Sequence, residues 1–437
     1  MQNCLSPAMS LLTPIGYQSG DCGYCRKSEN SGRTPDSRAS YYMRTKTLSP
    51  EHYQELMDRG WRRSGSLLYL PDAARSCCTH YTIRLPAAEF KPTKDQRQAL
   101  NRWNHFVLGD EYTKAVALKY PKTREEKKRL KSEFDLTLAV HQSESSQLKP
   151  DIQPQHRFEV QLEPDCFTEE KFSLFDNYQR NVHGEGDDDI SKSGFRRFLC
   201  GSPLKRRTDK DGKQLGSFHQ CYRLDGRLIA MAVLDLLPHA VSGVYFLYHQ
   251  DFEAYAFGKI SALREAALAR EQRYQYYYMG YYIHTCKKMR YKADYKPQHV
   301  LDPHSLDWQL LNDELRALME SRRYASPSLE REKQAQGPSD VERETMLPVP
   351  LDAMNSGLSI LTLGMPGVLP ISQLQEQIDL GSMKVSIGRE MGVFLAQHIV
   401  SWNSGDFSDA KTIKGIFAEL AAAVGPTVAR EAIVDFT

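Results

Sequence analysis

The sequence predicts an α+β protein built around a mixed β-sheet with helices packed on it. The prediction rests on residues 156–324, where three strand-like runs, an amphipathic helix and a further strand follow one another. A strand–helix–strand order is typical of a crossover between neighbouring strands of a mixed sheet. Residues 1–155 carry paired cysteines and predict a metal-binding domain. Residues 351–437 contain helix-like pieces, and we expect a helical C-terminal extension joined through a linker at 325–350.

Two helices are expected in the N-terminal region. The first lies in "SPEHYQELMDRG", where Ser49 is a candidate N-cap, Pro50 suits the first helical position and Gly60 ends the helix. The second, "KPTKDQRQALNRWNHFVLG", also runs from a threonine cap to a glycine. Residues 111–150 are strongly charged, which predicts a solvated or mobile segment.

The central region opens with a β-hairpin. The apolar runs "SFHQCYRL" and "RLIAMAVLDLLP" flank Asp225-Gly226, a pair that suits a two-residue type I′ turn. The run "VSGVYFLYH" predicts a third strand. In "GKISALREAALAREQRY" the residues Ile260, Leu263 and Ala267 approximate one helical face. The run "YQYYYMGYYI" predicts the strand after that helix.

Length and composition limit the class of protein. The 437 residues suffice for two or three domains, and 41% hydrophobic with 26% charged residues is typical of a soluble globular protein. With a net charge of only +2, a nucleic acid would have to bind a local patch. No membrane span or signal peptide is indicated. Nine cysteines, an odd number, suit a reducing compartment, so we expect the cytoplasm or the nucleus.

The spacing of four cysteines is the sharpest chemical feature. "CGYC" supplies Cys22 and Cys25, and "RSCCTHY" supplies Cys77 and Cys78. Four thiolates suffice for zinc or an iron–sulfur cluster. The alternative is a redox motif beside two buried cysteines, because adjacent side chains normally diverge. The single cysteines in apolar contexts are predicted core residues: Cys166, Cys200, Cys221 and Cys286.

Three basic clusters in the central region predict contact with RNA. In the loop 287–297 lysines and an arginine alternate with tyrosines, so charges would neutralise phosphates while rings stack on unpaired bases. A single cluster of this kind is usually solvated surface, whereas three within one domain favour RNA. The two further clusters are "SKSGFRRFLC" and "LKRRTDKDGK". The predicted RNA-binding residues are Arg196, Arg197, Lys287, Lys288, Arg290, Tyr291, Lys292, Tyr295 and Lys296.

Acid–base candidates are Asp235, at the end of an apolar strand, and Glu265, on the crossover helix. A carboxylate in apolar surroundings must be paired or have a raised pKa, which suits a site residue. The alternative for Asp235 is a strand-end residue that caps the following turn. His219 and Gln220 are polar groups in a predicted strand, with a hydrogen-bonded core position as the alternative.

The motif "GWRRSG" brackets Arg62 and Arg63 between glycines. Arginine guanidinium groups suit a carboxylate or a phosphate. The alternative is a solvated turn beside a packed tryptophan. The sequence contains no Ser/His/Asp elbow, Walker loop or dinucleotide glycine pattern, so no nucleotide cofactor is expected.

Seven motifs, in order along roughly residues 20–310, resemble the arginyl-tRNA–protein transferase family: "CGYC", "GWRRSG", "CC" with "YTIRL", "GSFHQ", "VLDLLPHAVSGVYFLYH", "GKISALRE" and "YYYMGYYIHTCKKMRYKADYKP". The resemblance implies a catalytic domain similar to GCN5-type N-acetyltransferases. It also implies arginyl-tRNA as donor, an N-terminal Asp or Glu as acceptor, and a product marked for ubiquitin-dependent degradation. The implied zinc or iron–sulfur ligands are Cys22, Cys25, Cys77 and Cys78.

The sequence departs from the family at three places. Thr79 and His80 replace a Pro-Gln pair after the adjacent cysteines, and His80 could add a ligand or a contact behind the ligands. In "YHQD" the residues His249 and Gln250 replace Asp-Pro. In "CKKM" a proline is replaced by Lys287, which adds to the basic loop.

The implied chemistry is aminolysis of an ester. We expect Asp235, with His219 or Gln220, to orient or deprotonate the acceptor amine, and Arg62 or Arg63 to pair with the acceptor carboxylate. The protein is expected to act as a monomer. The alternatives are a CoA-dependent N-acetyltransferase, which the glycine-poor segment "HQDFEAYAFGKIS" disfavours, and a non-catalytic RNA-binding metalloprotein.

Overall fold

A computed structural model describes residues 9–26, 33–335, 349, 358–388 and 392–437. The strands of this part are β1 (Leu11–Arg26), β2 (Arg33–Thr47), β3 (Arg62–Ser64), β4 (Leu67–Pro71), β5 (Tyr81–Pro86), β6 (Phe158–Pro164), β7 (Arg207–Thr208), β8 (Gln214–Leu224), β9 (Arg227–Leu237), β10 (Ala240–Tyr248), β11 (Tyr276–Tyr282), β12 (His299–Leu301), β13 (Trp308–Leu310), β14 (Lys384–Ser386), β15 (Val393–Leu395) and β16 (Ile433–Asp435).

The α-helices of the described residues complete the element list. They are α1 (Pro50–Met57), α2 (Lys94–Lys119), α3 (Arg124–Ser132), α4 (Leu136–His141), α5 (Glu169–Tyr178), α6 (Lys192–Phe195), α7 (Phe257–Glu271), α8 (Lys287–Arg290), α9 (Asp313–Ser321), α10 (Pro327–Ala335), α11 (Ile360–Leu363), α12 (Ile371–Gln377), α13 (Ile413–Val424) and α14 (Pro426–Glu431). Within this described part, each helix is too short or too polar to cross a membrane.

The central sheet confirms the predicted α+β class. Its strands lie in the order β13-β12-β5-β11-β10-β9-β8-β6, with β10 and β11 parallel and joined by the crossover helix α7. Strand β5, which carries the "YTIRL" motif, lies within residues 1–155, the region expected to form the N-terminal domain. In the structure it nevertheless pairs with β11 and belongs to the central sheet. The GCN5-type likeness stays a prediction.

Local sequence accounts for several of these elements. The β8–β9 hairpin turns at Asp225 and Gly226, which adopt φ values of 51° and 86°, as a type I′ turn requires. Helix α1 begins after Ser49, whose side chain accepts from the backbone of His52. Helix α2 begins with a capping box at Thr93, bends at Gly109 and continues into the charged segment expected to be solvated or mobile.

The C-terminal extension corrects the expectation of a helical appendage. It contains helices, but β14, β15 and β16 also extend the N-terminal sheet, whose order is β15-β14-β16-β1-β2-β4-β3. Strand β16 runs parallel to β1, with Leu11 opposite Ile433. Helix α13 buries Phe417 and Leu420 in the same core as Trp61. The linker expected at 325–350 begins with α10, and its remainder, apart from residue 349, lies outside the described residues.

Two strands of the central sheet diverge after a short stretch of pairing. Residues 240–242 of β10 pair with 276–278 of β11. Beyond Ser242, β10 continues along β9 with a register shift between Gly243 and Tyr245, while β11 continues along β5. The pairing of β10 with β11 therefore ends beside the crossover helix, and we call this gap in the strand pairing the opening.

Candidate active site and metal centre

Glu265 lies beside the opening between β10 and β11. It is 3% exposed, accepts a hydrogen bond from the Ser261 hydroxyl, and also hydrogen-bonds Tyr277. A Cβ atom added at Gly243 would lie 3.0 Å from Glu265 Oε2, so the absence of a side chain there makes room for the carboxylate. Burial raises the pKa of Glu265 to about 7. A buried group with this pKa is suited to accept a proton near neutral pH.

Tyrosine rings surround this carboxylate. Burial and the Glu265 charge raise the pKa of both Tyr277 and Tyr291. Tyr291 is 46% exposed, so it connects the buried group to the surface. The ring of Tyr178 lies 5.3 Å from that of Tyr248, between centroids, and burial with the charge effects of Tyr248 and Tyr291 raises the Tyr178 pKa to about 12. Tyr277 is therefore the tyrosine that contacts Glu265 directly, through a hydrogen bond.

Asp235 and Arg63 form a buried ion pair. Arg63 Nε lies 2.7 Å from Asp235 Oδ2, and Arg63 Nη2 lies 2.6 Å from Oδ1. The Ser217 hydroxyl donates to the same carboxylate. The side chains are 2% and 0% exposed. The expectations that Asp235 contacts an amine and that Arg63 contacts a substrate carboxylate are corrected, because each is already paired with the other.

Arg62 differs from its neighbour in having free donors. Its Nη1 donates to the carbonyl of Trp61 at 2.7 Å, while Nε and Nη2 are buried without a partner in the described part of the chain. The guanidinium carbon lies 5.1 Å from the ring centroid of Tyr281 and 5.8 Å from that of Tyr278. Arg62 therefore retains the capacity to bind an anion.

His219 and Gln220 take the core positions expected as their alternative. His219 Nε2 lies 3.0 Å from the carbonyl oxygen of Leu199, and burial lowers the pKa of the imidazole to about 4. Gln220 accepts a hydrogen bond from the Tyr222 hydroxyl at 2.9 Å. Both side chains are buried, so their contacts support packing rather than catalysis.

The predicted cysteine centre is present. The ligand atoms of Cys22, Cys25, Cys77 and Cys78 all lie within 4.8 Å of one another, and the Sγ atoms of Cys25 and Cys77 are 3.2 Å apart. The antiparallel strands β1 and β2 bring "CGYC" beside the turn that holds the adjacent cysteines, where the Cys77 amide donates to the Ser37 carbonyl. Four converging thiols suit zinc or an iron–sulfur cluster, so this donor set fits a metal.

Substituting one cysteine of this centre should release its metal. Cys77→Ser removes one of four thiolates, and we expect purified protein to carry much less zinc or iron than the unchanged chain. Elemental analysis and absorption spectroscopy after anaerobic purification measure this. Cys221→Ser is the control, because Cys221 is buried in a different hydrophobic cluster, away from the four cysteines. Equal metal content in both variants would exclude the four-cysteine site.

The other cysteines are distributed differently from the prediction. Cys221 is a buried core residue as expected, and Cys200 is half-buried. Cys166 is exposed, which corrects its assignment to the core, since it follows β6 at the rim of a surface cavity. Cys286 is half-buried against the cysteine centre.

The basic loop is divided between surface and interior. Residues 287–294 form α8 and a following 3₁₀ turn rather than an open loop. Lys292 is 8% exposed and Tyr295 is 1% exposed, which corrects their assignment to RNA, because neither presents its side chain to solvent. The exposed members are Lys287, Lys288, Arg290, Tyr291 and Lys296.

A second basic surface lies about the predicted pair Arg196 and Arg197. Both are exposed and line a cavity of about 970 Å³ together with Arg206 and Cys166. This cavity and the exposed part of 287–297 are the two places where the predicted RNA-binding residues reach solvent.

Sequence reasoning missed Gly243 and Ser261, which build the environment of Glu265. A glycine within an apolar strand often marks a close approach by another group, and this could have identified Gly243. Ser261 lies one helical turn before Glu265, so its hydroxyl is within reach of the carboxylate. Neither residue could be linked to Glu265 until the structure placed α7 against β10.

Comparisons with known proteins agree with this architecture. The model of the family "Arginine-tRNA-protein transferase, N terminus" matches residues 20–98, and that of its C terminus matches residues 170–302. Arginyl-tRNA–protein transferase 1 of Saccharomyces cerevisiae is 31% identical, over 64% of this chain and 58% of that protein. Its counterpart in Drosophila melanogaster is 28% identical, over 72% of this chain and 85% of that protein.

A bacterial relative widens the comparison. An aspartate/glutamate leucyltransferase of Pseudomonas fluorescens is 30% identical, over 60% of this chain and 83% of that protein. The family models and these relatives place the chain among the aminoacyl-tRNA–protein transferases. Within that class, the chain belongs to the arginyl-tRNA–protein transferase family. The matched part spans little more than half the length of the yeast relative.

Proposed function

We propose that the protein transfers arginine from arginyl-tRNA to the α-amino group of proteins that begin with Asp or Glu, marking them for ubiquitin-dependent degradation. The observation that carries the proposal is Glu265, a buried carboxylate with a pKa of about 7 at the opening between β10 and β11. Family membership supports the donor. We further propose that the protein acts as a monomer in the cytoplasm or nucleus without a nucleotide cofactor.

The proposed reaction needs a free amine and a correctly placed ester. The acceptor nitrogen forms a bond to the arginyl carbonyl carbon, the bond from that carbon to the ribose oxygen breaks, and the leaving oxygen takes up a proton. An α-amino group has a pKa of about 7.7–8.0 and is mostly protonated at pH 7. Glu265, with a pKa of about 7, can accept that proton at small cost. Positioning of the two substrates supplies most of the remaining acceleration.

Arg62 is the proposed partner of the acceptor side chain. Its free Nε and Nη2 atoms match the two oxygens of a carboxylate in a planar, bidentate arrangement. Because Arg63 is neutralised by Asp235, Arg62 alone of the pair is available for this contact.

The exposed cations of 287–297, together with Arg196 and Arg197, are the proposed tRNA contacts. They neutralise phosphates along two separate surfaces. Replacing any one of them by a neutral residue should therefore reduce the tRNA affinity, and the salt dependence of that affinity, by a similar small step. Tyr291 is proposed to stack on an unpaired base near the ester, since it is exposed and within electrostatic reach of Glu265.

The cysteine centre is proposed to hold zinc or an iron–sulfur cluster with a structural role. When bound, the metal would neutralise the thiolates and cross-link β1 to the turn that precedes β5. Cys22, Cys25, Cys77 and Cys78 would be its ligands. Thr285 donates to Cys78 Sγ at 3.8 Å, so the centre also contacts the segment that leads into the basic residues.

A donor-and-acceptor comparison tests the proposal. The protein is incubated with tRNA carrying radiolabelled arginine and with peptides that begin with Asp, with Asn or with N-acetylated Asp. We expect label in the first peptide alone, because the second lacks the carboxylate and the third lacks the free amine. The same experiment with leucyl-tRNA should give little product. Equal transfer from the two tRNAs would contradict the assigned donor.

A further inference from the structure

Two buried basic side chains, Arg62 and Lys292, contact Tyr281. The guanidinium carbon of Arg62 is 5.1 Å from the centroid of its ring, and Lys292 Nζ donates to its backbone carbonyl at 2.7 Å. The two residues are 7% and 8% exposed. Burial, with a smaller contribution from the Arg62 charge, lowers the pKa of Lys292 to about 7. The two cations are therefore close enough to repel each other.

Neither cation has an acidic partner in the described residues. No ion pair involves Arg62 or Lys292 there, and two guanidinium nitrogens of Arg62 lack any hydrogen bond. Buried charges are normally paired, because an unpaired one loses its hydration without compensation. Two unpaired cations near each other indicate a site for an anion that arrives with a ligand.

The local backbone is built to hold Lys292 inward. Gly280 adopts φ +75°, in the left-handed region that favours glycine, and the β11–β5 register shifts between Tyr278 and Tyr281. A Cβ atom added at Gly280 would lie 3.8 Å from Lys292 Nζ. The bulge therefore lies where the Tyr281 carbonyl accepts from Lys292, which holds this lysine in the interior.

A series of ring contacts joins this pair to the surface. Tyr24, which is 41% exposed, contacts the ring of His80 edge-on at 5.2 Å between centroids. His80 in turn contacts Tyr281 at 5.2 Å, and Tyr69 lies 6.3 Å from the same ring. The groups packed around Tyr281 are therefore mainly aromatic, and among them Arg62 and Lys292 are the basic side chains that could pair with an anion.

We propose that Lys292 and Arg62 together bind the side-chain carboxylate of the acceptor's N-terminal residue, with Lys292 determining specificity for an acid. This inference rests on the proposed function. The guanidinium provides a planar pair of donors and the ammonium a point charge, so one carboxylate can satisfy both. An amide in its place would leave both cations unpaired, which is how a polar site rejects a neutral isostere.

The test compares Lys292→Met with Lys287→Met, an exposed lysine of the same segment. Transfer at saturating arginyl-tRNA is measured for peptides beginning with Asp and with Asn. Lys292→Met should lower kcat/KM for the Asp peptide by about 100-fold and leave the Asn peptide nearly unchanged, so their ratio falls. Lys287→Met should preserve the ratio and weaken tRNA binding.

A second variant and a binding measurement separate specificity from folding. Lys292→Arg keeps the charge and should restore part of the Asp-to-Asn ratio. Titration calorimetry of the Asp peptide without tRNA should show weaker binding to Lys292→Met than to the unchanged chain. Equal losses for both peptides, or unchanged Asp-peptide binding, would overturn the inference. If the unchanged chain transfers no arginine, the proposed function fails, and the calorimetric comparison alone decides the role of Lys292.

Discussion

Replacing Glu265 by Gln should lower the rate of arginine transfer by about 100- to 10,000-fold, the range typical of a lost general base. The amide is nearly isosteric and can keep contacts with Ser261 and Tyr277, so tRNA and peptide affinities should change little. Single-turnover kinetics with preformed arginyl-tRNA measure the chemical step directly. Glu271→Gln is the matched control, because it lies on the same helix and pairs with His141 away from the opening.

Glu265 should also determine how the rate of arginine transfer depends on pH. Because the pKa of folded Glu265 is about 7, its ionised fraction rises between pH 6 and pH 8, and the rate should rise with it. Gln at this position should remove the limb near pH 7 and leave only the rise that follows the acceptor amine, whose pKa is about 7.7–8.0. An unchanged profile, or a loss below about 10-fold, would exclude Glu265 as the base.

The effect of Glu265 on the stability of the fold changes with pH in the opposite direction to its effect on the transfer rate. Its pKa is raised in the folded state, so the folded chain binds this proton more tightly than the unfolded chain. The stability that this proton contributes to the folded state is therefore lost as pH rises from the usual glutamate range to about 7. Glu265→Gln should accordingly be more stable than the unchanged chain at pH 8, by chemical denaturation.

Replacing Arg63 by Met should destabilise the fold by about 3–5 kcal/mol. The change leaves Asp235 fully enclosed without its bidentate partner, and an unpaired buried charge is costly. Urea unfolding of the variant and the unchanged chain measures the difference. The double variant Arg63→Met with Asp235→Leu should recover most of the loss, since no charge then remains unpaired.

Arg62→Met is the matched control for that experiment. Arg62 precedes Arg63 on β3 and is equally buried, but it has no acid partner in the described structure. Its loss should change the free energy of unfolding by no more than about 1 kcal/mol, mainly through the ring contact with Tyr281. Similar destabilisation by both substitutions, or no recovery in the double variant, would contradict the different roles assigned to the two arginines.

Elements with strong local determinants were predictable from sequence. The Asp225-Gly226 turn and the helix caps at Ser49 and Thr93 each depend on a few neighbouring residues. Strand β16 was not predictable, because three residues carry no periodicity and its place is set by pairing with β1, far away in sequence.

The residues of the candidate site also divide into those that local sequence predicts and those that only the fold distinguishes. The two cysteine pairs were predicted because the spacing within each pair is local, whereas their meeting depends on the fold. Sequence could not separate Arg62 from Arg63, since adjacent strand residues face opposite ways and only the fold shows which one meets Asp235. It also could not separate Lys287 from Lys292, because the burial of the latter depends on the bulge at Gly280.

Tandem mass spectrometry of the acceptor peptide after reaction shows whether arginine is joined to the α-amino group of the acceptor. The protein is given arginyl-tRNA and a peptide that begins with Asp and also contains an internal lysine. We expect a mass gain of one arginine residue, located by fragmentation on the α-amino group of the Asp. Arginine on the lysine, or a peptide that remains unmodified while the tRNA stays charged, would contradict this expectation.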